Sequence, residues 1–204
     1  ARALLEEASG LASDLVAHDP ENLKWRSFSA GALLTLADID SADGRMADAE
    51  TRTEAALDDF RTIFESDAPS VTDKRRFAEA RHARGYLRLQ TGDPGGAERD
   101  AETALDILRD LREPWRTEPK VDVEETRALM VLGDALAAQG RPEKADEAWR
   151  SARQLAEASL GDTLDPRVAA AYVRAHSRAA TRPDAHLEAL RATGLAIPGL
   201  WPEN

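Results

Sequence analysis

Cysteine is missing from this chain of 204 residues, and lysine and aromatic side chains are scarce. Without cysteine the chain forms no disulfide and offers no thiolate to a metal ion, although this does not fix its compartment. No apolar run approaches the roughly 18 to 20 residues needed to span a bilayer. The four histidines are isolated and lack the spacing of metal ligands. We therefore expect no metal site.

Sequence motifs of enzymes are also missing. There is no glycine-rich nucleotide loop, no P-loop, no zinc-protease helix and no serine-hydrolase elbow. Carboxylates are plentiful, but at this density on helices they typically form solvated faces and pairs four residues apart. We therefore expect that the chain is not an enzyme, has no catalytic residue and binds no cofactor.

The overall composition is that of a folded, globular chain. It is 42% hydrophobic and 32% charged, and its formal net charge of −11 disfavours direct nucleic-acid binding and favours basic or neutral partners. The basic residues comprise 23 Arg and only 4 Lys, which is compatible with a GC-rich bacterial gene. No stretch has the alternating pattern of a strand. These features predict an all-α protein.

Three glycines, Gly44, Gly92 and Gly140, recur at intervals of 48 residues. Each is followed by alanine five and twelve residues later, at Ala49 and Ala56, Ala97 and Ala104, and Ala145 and Ala152. Small residues at fixed places suit crossing helices, and glycine suits the positive φ at a helix end. We expect that backbone at Gly92 and Gly140. The pattern predicts helix pairs repeated along the chain.

The segment from 126 to 159 resembles a tetratricopeptide repeat. It has Leu132-Gly133 on its first helix, Gly140 at the turn, and then Ala145, Trp149 and Ala152. The resemblance implies an all-α, right-handed α-solenoid of roughly nine helices. It also implies that Trp149 is mostly buried and that Gly133 lets two backbones approach closely.

The repeat period divides the chain into one helical domain, 1–193, and a tail, 194–204. Within the domain we expect a half repeat at 1–18 and helix pairs near 21–65, 71–112, 121–159 and 165–193. Asp19 is the expected N-cap of the second helix, with Pro20 in its first turn. Because the chain begins inside a helical pattern, we expect it to be part of a longer protein.

The resemblance also implies a concave groove lined by the first helix of each pair. The repeat alignment assigns to this groove Leu34, Asp38, His82, Tyr86, Leu89, Met130 and Asp134. Asp38, Tyr86 and Asp134 are equivalent positions and should stack along one wall. The Lys/Asn clamp that some members of the family use for a terminal carboxylate has no counterpart at the matching positions.

Arg81, Arg84 and Arg88 lie on one stripe of the helix at 71–91, because they are three and four residues apart. One interpretation is structural, in which carboxylates from the helices at 46–65 or 94–112, such as Glu54 or Glu98, pair with them. The other is a site for an anion or an acidic peptide.

The resemblance favours a protein-interaction scaffold or regulatory module of a larger, bacterial signalling protein, with a protein or peptide bound in the groove. The alternative is a sensor that binds a small ligand or peptide and controls an attached kinase or transcription activator. Self-association stays open. We expect no membrane insertion and a cytoplasmic location, or a periplasmic one if the parent protein is membrane-anchored.

Overall fold

The computed structural model describes residues 2–112 and 119–160, and the regular structure in these ranges is entirely helical. Seven helices follow one another: α1 (Arg2–His18), α2 (Leu23–Ala42), α3 (Met46–Phe64), α4 (Val71–Gln90), α5 (Pro94–Arg112), α6 (Pro119–Ala138) and α7 (Pro142–Leu160). The helix pair predicted at 165–193 and the tail at 194–204 lie outside the described residues.

The helices pack in consecutive pairs. The most extensive contacts join α2 with α3, α4 with α5, and α6 with α7. The first helices of successive pairs also touch, α4 with α6 and, over a smaller area, α2 with α4. Such side-by-side stacking of helix pairs is the arrangement of a helical repeat protein. No helix in the described part of the chain is both long and apolar enough to cross a membrane.

Local side-chain bonds fix where two of the first helices begin. Ser70 and Asp73 form a capping box at α4, in which each side chain bonds to the backbone N–H of the other residue. The expectation for α2 is wrong by a few residues. Asn22 caps this helix through Trp25 N–H, and Asp19 and Pro20 belong to the preceding turn.

All three turns between paired helices have the same geometry. Gly44, Gly92 and Gly140 have φ of +77°, +83° and +72°, which confirms the prediction for Gly92 and Gly140. The residue after each glycine donates its N–H to the carbonyl five residues earlier, as Arg141 does to Leu136 at 3.0 Å. This is the Schellman ending, which satisfies carbonyls that the helix leaves unpaired.

The repeated alanines lie at the centre of the packing. All six of them are fully buried: Ala49, Ala56, Ala97, Ala104, Ala145 and Ala152. Around them the larger apolar side chains form the core, with Phe60, Leu57 and Ile63 in the first pair. The recurring alanines therefore correctly predict the face on which each second helix packs.

Gly85 of α4 and Gly133 of α6 hold equivalent positions but are approached by different neighbours. At Gly85 a Cβ would lie 3.3 Å from the carbonyl oxygen of Ala97, so this glycine lets α4 approach the backbone of α5. At Gly133, the equivalent position, the indole of Trp149 occupies the space, and its Nε1 donates to Asp134 at 3.2 Å. Trp149 is more buried than exposed, as expected, although part of its indole stays in contact with solvent.

Two positions face each other across the helix pair in the first two repeats. One lies four residues before the turn glycine and the other eight residues after it, and we call them the crossing pair. In the first repeat Arg52 Nε lies 2.8 Å from Asp40, and in the second Arg88 Nη1 lies 2.9 Å from Asp100. The first repeat thus has the acid on its first helix and the arginine on its second, and the second repeat has the reverse order. In the third repeat the same positions hold Leu136 and Ala148, which are both buried.

Candidate functional site: the groove between first helices

A concave cavity of about 560 Å³ lies against the first helices of the three pairs, α2, α4 and α6. Six of the seven predicted groove residues line it: Leu34, Asp38, His82, Tyr86, Met130 and Asp134. Leu89 is outside the lining, and Leu87 contributes instead. The second helix α3 adds one residue, Thr53. The repeat alignment thus placed most of the predicted side chains on one surface.

These residues converge because they hold equivalent places in the repeat. Asp38, Tyr86 and Asp134 each lie six residues before a turn glycine, and all three line the cavity. Tyr86 is 45% exposed and is the most accessible of the large apolar side chains in the lining. An aromatic side chain that is open to solvent beside two carboxylates suits recognition of a polar or charged partner.

A buried hydrogen bond at the cavity joins His82 of α4 to Glu124 of α6. His82 Nε2 is 2.8 Å from Glu124 Oε2, and both residues are buried. Burial alone would raise the pKa of Glu124. The hydrogen bond from His82 and the charges of His82, Arg127 and Arg75 outweigh burial and lower the pKa to about 2. Glu124 therefore keeps its charge and joins the second pair of helices to the third.

Glu79, which also lines the cavity, has the opposite shift. Burial and the neighbouring charge of Glu124 raise its pKa, and His82, Arg75 and Arg127 oppose them only in part. The surroundings of Glu79 thus disfavour its negative charge. Neither Glu79 nor Glu124 was predicted from the sequence as part of the site. The one signal available was that Glu79 precedes His82 by three residues, on the same face of α4.

The arginine stripe converges on one buried carboxylate. Asp100 is 2% exposed and accepts from Arg81 at 3.2 Å, from Arg84 at 2.6 and 2.8 Å, and from Arg88 at 2.9 Å. Arg84 also bonds Glu54 of α3 at 3.0 Å. Each guanidinium thus has a carboxylate from α3 or α5, as the structural interpretation requires. Asp100, however, was not among the partners expected from the sequence.

These contacts bear directly on the alternative of an anion site. Three guanidinium groups already face a carboxylate that is removed from water, and the hydrogen bond to Asp100 raises the pKa of Arg84 further. Binding of an external anion at the stripe would have to displace Asp100 or Glu54. The arrangement favours a structural role for Arg81, Arg84 and Arg88.

A second surface feature is apolar. On α1, the leucines at 4, 11 and 15 are exposed by 70%, 59% and 43%, whereas the buried residues of this helix are Ser9 and Ala12. Their spacing of seven and four places them on one stripe. This apolar stripe therefore lies at the surface of the described part of the chain and not in the packing of α1.

Among the residues that the structure describes, no group of three or more His, Asp or Glu side chains could hold a metal ion. No protein-family model matches the chain, and no curated protein sequence matches it significantly.

Proposed function

We propose that this chain is a tetratricopeptide-like, right-handed repeat array that binds a segment of a partner protein in its groove. Its place in a larger bacterial regulatory protein is part of the same proposal. The observation that carries it is the convergence of Asp38, Tyr86 and Asp134, from three successive repeats, on one cavity. Equivalent positions along a stack of helices form a continuous wall, which suits an extended polypeptide more than a compact molecule.

Selection of peptides on the purified chain tests this proposal. Twelve-residue peptides enriched from a random displayed library would be synthesised, and their affinity measured by calorimetry. Tyr86→Ala should weaken binding by at least tenfold, because Tyr86 is the exposed aromatic of the groove. Glu102→Ala, an exposed position on α5 outside the cavity lining, is the matched control and should bind as the wild type does.

Enriched peptides that bind the wild type and Tyr86→Ala equally would show that the groove is not the binding surface. Melting temperatures of both variants should be measured in parallel, so that a loss of binding is not confused with a loss of folding.

The size of the cavity supports a second candidate, a sensor for a small ligand. Its volume of about 560 Å³ falls in the range of small-molecule sites, about 300–1,000 Å³, and the lining combines apolar and polar side chains. A sensor should gain thermal stability from a small compound in the wild type and not in Tyr86→Ala. If only extended peptides act in this way, the scaffold proposal stands.

A further inference from the structure

In the first repeat the cavity includes a space whose counterpart in the third repeat is filled by a side chain. Thr53, Ala101 and Trp149 are equivalent positions, each nine residues after a turn glycine. In the third repeat the indole of Trp149 lies over Gly133 and donates to Asp134. The first-repeat counterparts of Trp149, Gly133 and Asp134 are Thr53, Ala37 and Asp38, and all three of these line the cavity.

The first repeat thus has a small residue and a carboxylate at the same places as the third repeat, but it has no indole at the place of Trp149. A small side chain, Thr53, replaces the indole, and the carboxylate of Asp38 stands where Asp134 accepts the Trp149 N–H. A carboxylate has about four acceptor positions, so Asp38 can accept from an incoming group in addition to its existing contacts. A guest that fits here needs an apolar body over Ala37 and an N–H donor at its tip.

Thr53 itself points to a polar guest. It is 1% exposed, and its Oγ1 has no hydrogen-bond partner among the described residues. Other threonines in these helices donate to the carbonyl four residues earlier, as Thr51 does to Ala47 and Thr103 does to Arg99. A buried hydroxyl without a partner is costly, so this hydroxyl is suited to bond with a group that enters the cavity.

The charge of the lining selects among the possible donors. Asp38, Glu79 and Asp134 are acidic, and Arg127 is the one Arg or Lys among the lining residues described. Arg127 lies 3.3 Å from the buried carboxylate of Glu124, which offsets its charge. Burial and the charge of Glu124 disfavour the negative charge of Glu79, so a cation beside it would be favoured. The lining therefore suits a positively charged guest over a neutral one.

We propose that the part of the cavity between Ala37, Asp38 and Thr53 takes a basic side chain, arginine or lysine, from the bound partner segment. This inference rests on the proposed function, because it concerns the same groove. The aliphatic stem of the guest lies over Ala37, and its nitrogen donates to Asp38 and to the hydroxyl of Thr53. The mode of binding copies the contact that Trp149 makes within the third repeat.

The test uses pools of blocked hexapeptides whose central residue is fixed, with the other positions mixed. Arginine-centred or lysine-centred pools should bind the wild type at least tenfold more tightly than pools centred on tryptophan, methionine or glutamate. Thr53→Val keeps the shape and removes the hydroxyl, and it should weaken the basic pools by at least about fivefold. Thr51→Val, on the exposed face of the same helix, is the matched control and should change nothing.

A second variant reproduces the third repeat in the first. In Ala37→Gly/Thr53→Trp the indole should occupy the space and donate to Asp38, so that basic pools no longer bind while circular dichroism still reports a folded helical protein. If this variant does not fold, the comparison of Thr53→Val with Thr51→Val still decides the proposal.

The outcomes separate this inference from the function on which it rests. Tryptophan, methionine or glutamate pools that bind as tightly as the basic ones, and lose affinity in Tyr86→Ala, would overturn the basic guest and support the groove. Equal binding of basic pools by the wild type and Thr53→Val would also overturn the inference. If no pool depends on Tyr86, the proposed function fails as well.

Discussion

Replacing Asp100 by asparagine removes one negative charge and almost no volume, at a point where three guanidinium groups meet. Its two carboxylate oxygens receive bonds from Arg81, Arg84 and Arg88, and the residue is 2% exposed. An asparagine has one carbonyl oxygen and an NH₂ group, which would point its donors at cations. Three half-buried positive charges would then face one another without this carboxylate between them.

The expected cost follows from measurements on buried ion pairs. Removing one partner of such a pair typically costs about 3–5 kcal/mol, because the remaining charge stays buried without compensation. For a chain of this length, 1 kcal/mol corresponds to about 2–4 °C in the melting temperature. Asp100→Asn should therefore melt about 6–20 °C below the wild type. Denaturant unfolding at 25 °C and calorimetry would measure the loss independently.

Asp106→Asn is the matched control. Asp106 is on the same helix, its side chain is 78% exposed, and it pairs with Arg109 three residues away. Such surface pairs contribute about 0–1 kcal/mol and weaken further with salt. The loss at Asp100 should persist at high ionic strength. A free energy of unfolding for Asp100→Asn within about 1 kcal/mol of the wild type would refute the reasoning.

Four further predictions concern a turn glycine, a glycine inside α1, the indole contact and the buried glutamate. Gly140→Val should lower stability by more than about 1 kcal/mol, because φ is +72°; Gly10→Ala, inside α1 with open space around it, should raise stability by about 0.5–1 kcal/mol. Gly133→Ala should cost about 1–3 kcal/mol because its Cβ would overlap the ring of Trp149. Glu124→Gln should cost about 3 kcal/mol at pH 7, and this difference should disappear as pH falls from about 4.5 to about 2.

The sign of the last prediction follows from the lowered pKa of Glu124. Its carboxylate has a pKa of about 2 in the folded chain and about 4.5 in the unfolded chain, so the unfolded state binds more protons between these values. Stability is thus present above pH 4.5 and lost on acidification. Denaturant midpoints of the wild type and the variant, compared between pH 7 and pH 2, give the difference. A gap that stays constant over this range would contradict the assignment.

The turns and the face of each second helix could be predicted from the sequence, since both depend on local chemistry. Glycine at a helix end and alanine on a packed face are required by backbone conformation and by the space between helices. Three repeats with the same spacing made the positions unambiguous. The same alignment placed His82, Tyr86 and Asp134 in the groove, because equivalent positions on stacked helices share a surface.

Partners of the arginines could not be predicted in the same way, because the choice depends on how two helices face each other. Glu98 was an expected partner, but it bonds Gln139 and Arg141 of the next repeat. One signal was present: Asp100 lies three residues after Ala97 and four before Ala104, and therefore on their buried face. Trp149 was expected to be mostly buried because it holds the aromatic position of the repeat, and it is, but the hydrogen bond from its indole to Asp134 was not expected.

The crossing pairs have a consequence for how a chain of similar repeats assembles correctly. In the first repeat the acid is on the first helix and the arginine on the second; in the second repeat the order is reversed. If α2 paired with α5 by mistake, Asp40 would face Asp100, and if α4 paired with α3 as its hairpin partner, Arg88 would face Arg52. Like charges in a buried place are strongly unfavourable, and repeat proteins are prone to such exchanges. The reversed order of acid and arginine therefore favours the correct pairing of helices in these two repeats. It also disfavours mispaired or domain-swapped assemblies during folding.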